Sequence, residues 1–235
     1  MSAIAIIPAR GGSKRISRKN IRDFLGKPII AYSIEAARDS GLFERVLVST
    51  DDAEIAEVAR RCGAEAPFTR PPELSDDHTG TNAVVAHALR WLQQQNQPAD
   101  LACCIYATAP FLQAQSLREG HRLLLESGKA FAFSVTRFEF PIQRALRRYA
   151  NGSVEAMQPQ HESTRSQDLE PAWHDAGQFY WGRTEAFLNG LSVYARTSAG
   201  VPIPRHLVQD IDTLEDWQRA EAMYRALQYQ SSGTA

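Results

Sequence analysis

Near its start the chain reads Ile4-Ala5-Ile6-Ile7-Pro8-Ala9-Arg10-Gly11-Gly12-Ser13-Lys14-Arg15, then Arg18-Lys19-Asn20, an apolar strand feeding a glycine pair ringed by cations. Adjacent glycines let the backbone turn tightly and aim N–H groups at an anion, and Arg10, Lys14 and Lys19 add the charge that a polyphosphate needs. The spacing is not that of a P-loop, because Ser13 separates Gly12 from Lys14 and Arg15 follows the lysine; the G-x-G-x-x-G spacing fails as well. Taken alone, the segment also reads as a basic surface loop after a buried strand. Far along the chain, Asp210-Ile211-Asp212 sits where an extended stretch meets a helix start. Residues two apart on an extended backbone share a face, so both carboxylates can reach one cation. Hard oxygens suit Mg²⁺, which takes one or two carboxylates and completes its shell with water and substrate phosphates. Alone, this pair also fits a helix-capping acid beside a solvated neighbour. Together, a cationic phosphate loop and a paired-acid seat are the two halves of a metal-assisted phosphoryl or nucleotidyl transfer site.

The elements that must position these residues alternate strand with helix, the pattern of a mostly parallel sheet with helices on both faces. The first strand covers about Ala3 to Pro8. Pro28 stands where a first helical turn tolerates it, and Ile30, Ile34 and Ala37 follow at helical spacing until Gly41. Arg45 to Thr50 reads as a buried strand, and Asp51-Asp52 opens a helix with Ile55, Val58, Ala59 and Cys62 on one face before Gly63. After a loop rich in prolines and acids from Arg70 to Asp77, a helix runs from about Thr81 to Gln94 with Val84, Val85, Ala88, Leu89 and Leu92 inward. A strand follows at Leu101 to Ala107. Ser116 with Glu119 makes a capping box for a helix through Leu125, and Ala130 to Thr136 is another strand.

From Phe138 to His174 the period lapses amid prolines and Arg144, Arg147, Arg148 and Arg165. A structureless stretch of that length is unusual inside a compact domain, so a hairpin or small helices are expected there, packed on a second subunit. The sheet resumes at Gln178-Phe179-Tyr180-Trp181. Val201 to Ile203 and His206 to Ile211 read as extended, and Thr213 caps a last helix with Leu214, Trp217, Tyr224 and Leu227 on one side. The tail from Gln230 to Ala235 is expected to fray. The whole is a single α/β domain over residues 1–235, a Rossmann-like and mostly parallel sheet flanked by helices, with an excursion at 138–174.

At 235 residues with 43% apolar content, such a chain can bury a core without a covalent staple. Its 26 Lys and Arg nearly cancel 27 Asp and Glu, so no global field points toward nucleic acid or a membrane surface, and no basic stripe interleaved with aromatics supports nucleic-acid binding. Cys62, Cys103 and Cys104 form neither an even set nor a C-x-x-C pair, and adjacent residues on a strand point to opposite faces. They read as reduced packing residues of a cytoplasmic protein. No signal-peptide pattern is found, and no run approaches the ~18 apolar residues of a membrane span.

Four ordered blocks carry a family likeness: Ile7-Pro8-Ala9-Arg10-Gly11-Gly12-Ser13-Lys14 with Lys19-Asn20, Val48-Ser49-Thr50-Asp51, Arg70-Pro71-Pro72-Glu73-Leu74, and Asp210-Ile211-Asp212-Thr213. Together they resemble the CMP-sugar synthetases, the cytidylyltransferases that activate sialic acid and related acidic sugars, and nearly the whole chain takes part. Cys104-Ile105-Tyr106-Ala107-Thr108-Ala109-Pro110-Phe111, Thr164 to Pro171 and His174 to Trp181 look most like the pseudaminic acid branch. Where sialic acid enzymes place a glutamine before a Pro-Thr-Ser-Pro run, this chain has Tyr106 before Ala107-Thr108-Ala109-Pro110, which argues against sialic acid. Tyr106 also reads as plain core on a buried strand.

The resemblance implies roles residue by residue. Arg10, Lys14 and Lys19 contact the CTP phosphates, the lysines neutralising the departing pyrophosphate. Gly11, Gly12, Ser13 and Asn20 cradle the nucleotide, while Arg70, Thr79 and Thr81 read the cytosine edge. Arg70 also reads as the partner of the acidic loop beside it. Asp210 and Asp212 hold Mg²⁺, which lowers the pKa of the sugar's anomeric hydroxyl. Tyr106, Arg165, Gln178 and Tyr180 recognise the sugar, Arg165 being lent by the neighbouring subunit of a homodimer. The implied reaction transfers CMP from CTP to a nine-carbon 2-keto acid sugar and releases pyrophosphate. Sialic acid, legionaminic acid and Kdo are the alternative acceptors, and a nucleotide-binding module without turnover is the alternative of another class.

Overall fold

Ile4 and Ile6 point to one side of the first strand and Ala5 and Ile7 to the other, and both sets are buried. A strand apolar on both faces belongs in the middle of a sheet covered by helices on each side. The computed structural model has that arrangement, and it describes residues 1–76 and 79–232. Asp77 of the acid-rich loop and residues 233–235 of the expected frayed tail lie outside the described residues.

The strands are β1 (Ala3–Pro8), β2 (Asp23–Phe24), β3 (Lys27–Pro28), β4 (Arg45–Ser49), β5 (Leu101–Ile105), β6 (Phe131–Arg137), β7 (Leu146–Arg148), β8 (Val154–Ala156), β9 (Trp173–Arg183) and β10 (Ser198–Pro202). The helices are α1 (Ile29–Ser40), α2 (Ala53–Arg61), α3 (Thr81–Gln94), α4 (Ala114–Ser127), α5 (Thr184–Leu188) and α6 (Leu214–Ser232). One six-stranded sheet runs in the order β10-β6-β9-β5-β1-β4, and all its pairs are parallel except those made by β9, antiparallel to both neighbours. This is the expected α/β class with a mostly parallel sheet.

Cys103 and Cys104 fall in opposite cores, as the period of two requires. One face packs against α1, α2 and α4 through Ile30, Ile34, Ile55, Leu117 and Leu124; the other against α3 and α5 through Val85, Leu89, Leu92 and Phe187. A third cluster joins Ile16, Phe24, Tyr32 and Phe111 to Ile211 and Trp217 at the start of α6. It fastens the end of the chain beside the loop that follows β1.

Three local expectations need correction. The Ser116/Glu119 box does not start α4, which begins two residues earlier with Gln113 as its N-cap; the Ser116 N–H already donates to the Gln113 carbonyl, and Glu119 pairs with Arg122. His206 to Ile211 is not a strand: after β10 the chain makes a single 3₁₀ turn at Arg205–Leu207 and then runs irregularly. Leu214 is exposed, because α6 turns Trp217 and Ala220 inward instead. By contrast, Thr213 does cap α6: its Oγ1 accepts from the Asp216 N–H while Asp216 Oδ2 accepts from the Thr213 N–H, a reciprocal box. The 138–174 excursion is a β7–β8 hairpin with three 3₁₀ turns, at Ile142–Arg144, Pro159–His161 and Ser166–Asp168.

Candidate active site

The chain leaves β1 for β4 on one side and later returns to β5 on the other, so the carboxyl ends of β1 and β5 flank a point where strand order reverses. Ligands of open α/β sheets bind at such a crevice. Here a cleft of about 310 Å³ is lined by Arg10, Ser13, Lys14, Arg15, Lys19 and Asn20 from the loop after β1, and by Tyr106, Ala107 and Thr108 from the end of β5. Arg70, Thr79 and Thr81 close its far wall.

The loop is held by hydrogen bonds between side chains and backbone. The Gly11 N–H donates to Asp51 Oδ1 at 2.9 Å, Asn20 Nδ2 donates to the Arg10 carbonyl at 2.9 Å, and Arg10 Nη1 donates to the Asp76 carbonyl at 2.7 Å. Asn20 is buried, so it fixes the turn from beneath. Gly11 is demanded by contact: a Cβ there would stand 2.7 Å from Asp52 Oδ2, whereas a Cβ on Gly12 would meet nothing within 4 Å. Asp52 cannot easily yield, because it caps α2 by accepting from the Ile55 N–H and pairs with Arg18. The bond to Arg18, more than the cap, holds the Asp52 carboxyl at about 2.

Arg70 is 3% exposed, and its Nη2 has no hydrogen-bond partner, lying 3.6 Å from Asp51 Oδ1. Such a buried donor on a cleft wall fits a ligand acceptor. Thr79 is pinned by its N–H to Asp76 Oδ1, and Thr81 sits at the start of α3.

The two ends of the chain meet at this cleft. Lys19 Nζ donates to the Ile211 carbonyl at 2.6 Å and lies 3.6 Å from Asp212 Oδ1, to which Arg15 Nη2 donates at 2.8 Å. Ile211 is buried beside Ile16, so the hydrophobic cluster sets the acids against the cations. The Asp210 carboxyl is pushed up by burial and by Asp212, with Lys19 opposing.

A second chamber of about 280 Å³ opens off the cleft and shares Thr81 and Tyr106 with it. Its other walls are Asn82, Cys104, Tyr180, Ser192 and Tyr194, without a charged side chain among the described residues. The Tyr106 and Tyr180 rings lie 5.3 Å apart.

Comparison with known proteins decides the family. The cytidylyltransferase family model matches residues 4–226. The chain belongs to the cytidylyltransferase family. It is 48% identical over 225 residues to a pseudaminic acid cytidylyltransferase of Campylobacter jejuni, covering 96% of this chain and 97% of that one. A CMP-N,N'-diacetyllegionaminic acid synthase of Legionella pneumophila is 29% identical, over 95% of this chain and 96% of its own. Among solved structures, a CMP:2-keto-3-deoxy-manno-octonic acid synthetase in complex with CTP has the same fold, with a TM-score of 0.70 at 16% identity, covering 96% and 99% of the two chains.

Within this cytidylyltransferase, most of the expected residues fall at the cleft, one lines only the second chamber, and two line neither. Arg10, Ser13, Lys14, Lys19, Asn20, Arg70, Thr79, Thr81 and Tyr106 line the cleft. Gly11 and Gly12 form its floor turn, Asp210 and Asp212 adjoin it, and Tyr180 lines the second chamber. Gln178 and Arg165 line neither. Gln178 is buried in β9, its Nε2 donating to the Leu207 carbonyl at 2.5 Å, which ties the sheet to the segment approaching Asp210. Arg165 is exposed on the excursion and paired with Asp168 at 2.7 Å.

Sequence reasoning assigns no role to Arg15, Asp76 or Tyr194, which line the two cavities. Arg15 stood in plain view in the basic run, while the others reach the site only through tertiary contacts. The metal seat also has a physical test. No group of three or more His, Cys, Asp or Glu that could hold a metal occurs among the described residues, so there is no all-protein cage. Two carboxylates beside a cleft lined with cations nevertheless fit the way Mg²⁺ is held, with one or two carboxylates and the rest of the shell from other oxygens and water.

Proposed function

We propose that this protein transfers CMP from CTP to the anomeric hydroxyl of pseudaminic acid, releasing pyrophosphate. The observation that carries the reading is the meeting of the cationic loop with Asp210-Ile211-Asp212 at one cleft, at 2.6 Å for Lys19 to Ile211 and 2.8 Å for Arg15 to Asp212. The sugar follows from the relative with 48% identity. In this reading Arg10, Lys14, Ser13 and the Gly11-Gly12 turn hold the triphosphate in line, and Lys14 and Lys19 neutralise the pyrophosphate as the bond between the α- and β-phosphates breaks. Attack by the sugar oxygen forms the new bond at the α-phosphorus. Positioning and charge neutralisation carry nearly all the catalysis of such transfers. Mg²⁺ held by Asp210 and Asp212 would supply Lewis-acid activation of the attacking hydroxyl and of the phosphate. The orphaned Arg70 Nη2, with Thr79 and Thr81, offers donors and acceptors to the cytosine edge, and Asn20 orients the nucleotide by holding the Arg10 carbonyl.

The second chamber, contiguous through Tyr106 and Thr81, is read as the sugar's, with Tyr106 and Tyr180 on its walls. Gln178 lies outside it, its amide holding the Leu207 carbonyl. The reading includes a homodimer in which Arg165 reaches the neighbouring site. Phe140, Leu146, Val154 and Met157 on the excursion are each more than half exposed, which favours an apolar partner surface there. A cytoplasmic location is part of the same reading, consistent with Cys62, Cys103 and Cys104 all being free thiols. Among the described residues no helix is long and apolar enough to cross a membrane.

The test is pyrophosphate release with CTP and Mg²⁺ against pseudaminic, legionaminic and sialic acids and Kdo, run beside Asp212→Ala. Release with pseudaminic acid that Asp212→Ala abolishes is expected. Release with sialic acid and none with pseudaminic acid would overturn the substrate.

A further inference from the structure

We propose that Asp175 is a positioning residue that fixes Tyr180 and Tyr194 as hydrogen-bond acceptors in the second chamber, so that the chamber takes N–H and O–H donors and turns away a carboxylate. The proposal rests on reading that chamber as the sugar's.

The starting point is an irregularity in β9. Phe133 pairs with Tyr180 and Val135 with Asp175, so two steps along β6 match five along β9. In a regular strand, residues five apart would face opposite sides of the sheet and stand about 16 Å from each other. Here the strand bulges. Gly177 takes a φ of +63°, its N–H donating to Asp175 Oδ1 at 2.8 Å, and Ser134 Oγ accepts from the Gln178 and Phe179 N–H groups at 3.2 Å each. The surplus backbone is therefore satisfied inside the sheet, and Asp175 folds back over Tyr180. Bulges beside sites re-aim side chains in this way.

Asp175 Oδ2 accepts from both the Tyr180 and the Tyr194 hydroxyls, each at 2.5 Å. Tyr180 has other support, being buried and stacked on Phe133. Tyr194 is 71% exposed and belongs to a stretch with no helix or strand, so beyond an edge contact with Phe133 the carboxylate is what orients it. Although the ring is exposed, desolvation around its hydroxyl, followed by the bond to Asp175 and opposed by Tyr180, pushes the Tyr194 phenol up to about 12.

A phenol has one proton to give. With both protons committed to Asp175, the two oxygens have only lone pairs left to offer, Tyr180 sharing one of its own with the neighbouring Tyr106 hydroxyl, and the Asp175 carboxylate stands directly behind them. A group docking there must therefore donate, as an amide N–H or a hydroxyl does. A carboxylate would meet acceptors and like charge. On an acidic sugar carrying acylamino and hydroxyl substituents, this assigns the substituents to the chamber and sends the carboxylate toward the cations of the cleft.

The test is steady-state kinetics of Asp175→Asn, Tyr194→Phe and the double variant with CTP and pseudaminic acid. Each single change should raise the KM for the sugar about tenfold, the size of one charge-assisted hydrogen bond, while the KM for CTP stays within about twofold. The double variant should be no worse than the worse single one, since both remove the same linkage. Multiplying effects, an unmoved sugar KM, or equal rises in both constants would each overturn the proposal. Tyr194→Phe changes an exposed side chain, so it decides the matter even if Asp175→Asn fails to fold. A second readout needs no substrate: in an alkaline ultraviolet titration Tyr194 should ionise at lower pH in Asp175→Asn than in the wild type, and no change refutes the linkage. If the wild type turned over no acidic sugar, the substrate reading would fall and the titration alone would decide the role of Asp175.

Discussion

Replacing Gly11 with alanine tests how the glycine loop after β1 is built. The new methyl would lie 2.7 Å from Asp52 Oδ2 and 3.0 Å from its Cβ, so either the loop or Asp52 must move by several tenths of an ångström. Asp52 is tied on two sides, capping α2 through the Ile55 N–H at 3.0 Å and bonding Arg18 Nη2 at 3.0 Å. Losing a cap costs about 1 kcal/mol and a charge-assisted hydrogen bond about 1.5–3 kcal/mol, and part of each survives relaxation. A destabilisation of about 1–3 kcal/mol follows, or about 3–9 °C in Tm for a chain of this size. If the loop gives way instead, the Gly11 N–H leaves Asp51, the cradle shifts, and kcat falls with little loss of stability. Gly12→Ala is the control, because its Cβ would meet nothing within 4 Å and its φ lies outside the left-handed region. Urea unfolding and pyrophosphate-release kinetics on both variants settle the matter. Equal behaviour of Gly11→Ala and Gly12→Ala, within about 0.5 kcal/mol and twofold in kcat, would refute the claim that contact with Asp52 selects the glycine.

Other perturbations follow from the same geometry. Lys14→Ala should lower kcat by about 10²–10³ while leaving the sugar KM nearly unchanged, because the charge it meets develops in the transition state; rapid-quench measurement of CMP transfer checks it. Trp217→Ala should cost about 3–5 kcal/mol in urea unfolding, as Trp217 is 4% exposed and packs edge-on to Phe24 at 5.5 Å; Trp217→Phe should cost far less. The Asp52 carboxyl is depressed to about 2 in the folded chain. Its stabilising contribution is therefore complete above the unfolded value near 3.9 and is lost as pH falls through about 2. Asp52→Asn should accordingly cost about 1–2 kcal/mol at pH 7 and at pH 5, with the gap closing only between about pH 4 and 2, read from urea midpoints across that range.

Much of this fold is legible locally. The alternation of Ile4, Ala5, Ile6 and Ile7 gives a two-sided strand, and Asp52 announces the start of α2 because a short acceptor there satisfies the Ile55 N–H. The cationic lining of the cleft is legible for the same reason: most of it comes from consecutive residues of the loop after β1. What escapes is whatever tertiary contact decides. Ser116 and Glu119 match a capping box, yet Gln113 starts the helix and Glu119 spends its carboxylate on Arg122. Leu214 has the right spacing to be inward, but Thr213 and Asp216 fix the first turn of α6 so that Trp217 takes the core instead. A glycine inside a strand pattern can mark a bulge, but β9 holds two, Gly177 at the bulge and Gly182 in regular pairing, so the sequence does not tell them apart. The consequence of the bulge, Asp175 reaching two tyrosines, depends on a third segment near Tyr194 that no spacing rule connects to it.

The distance in sequence between Lys19 and Asp212 is resolved by topology. β1, β5, β6 and β10 share a direction, so their carboxyl ends share an edge, and whatever follows any of them arrives on the same side of the sheet. The Ile203 N–H donates to the Val135 carbonyl and Gln178 Nε2 to Leu207, carrying the chain inward from the edge strand until Ile211 buries itself against Ile16. The outer of the charged pairs around that apolar contact, Arg15 with Asp212, is weakly held. Arg15 has 68% of its side chain exposed and Asp212 36%, and a pair that open to water contributes at most about 1 kcal/mol. Lys19, by contrast, has 20% of its side chain exposed and holds the Ile211 carbonyl at 2.6 Å, so of the two cations that face Asp212 it is Arg15 that can leave the pair without disturbing the fold that aligned them.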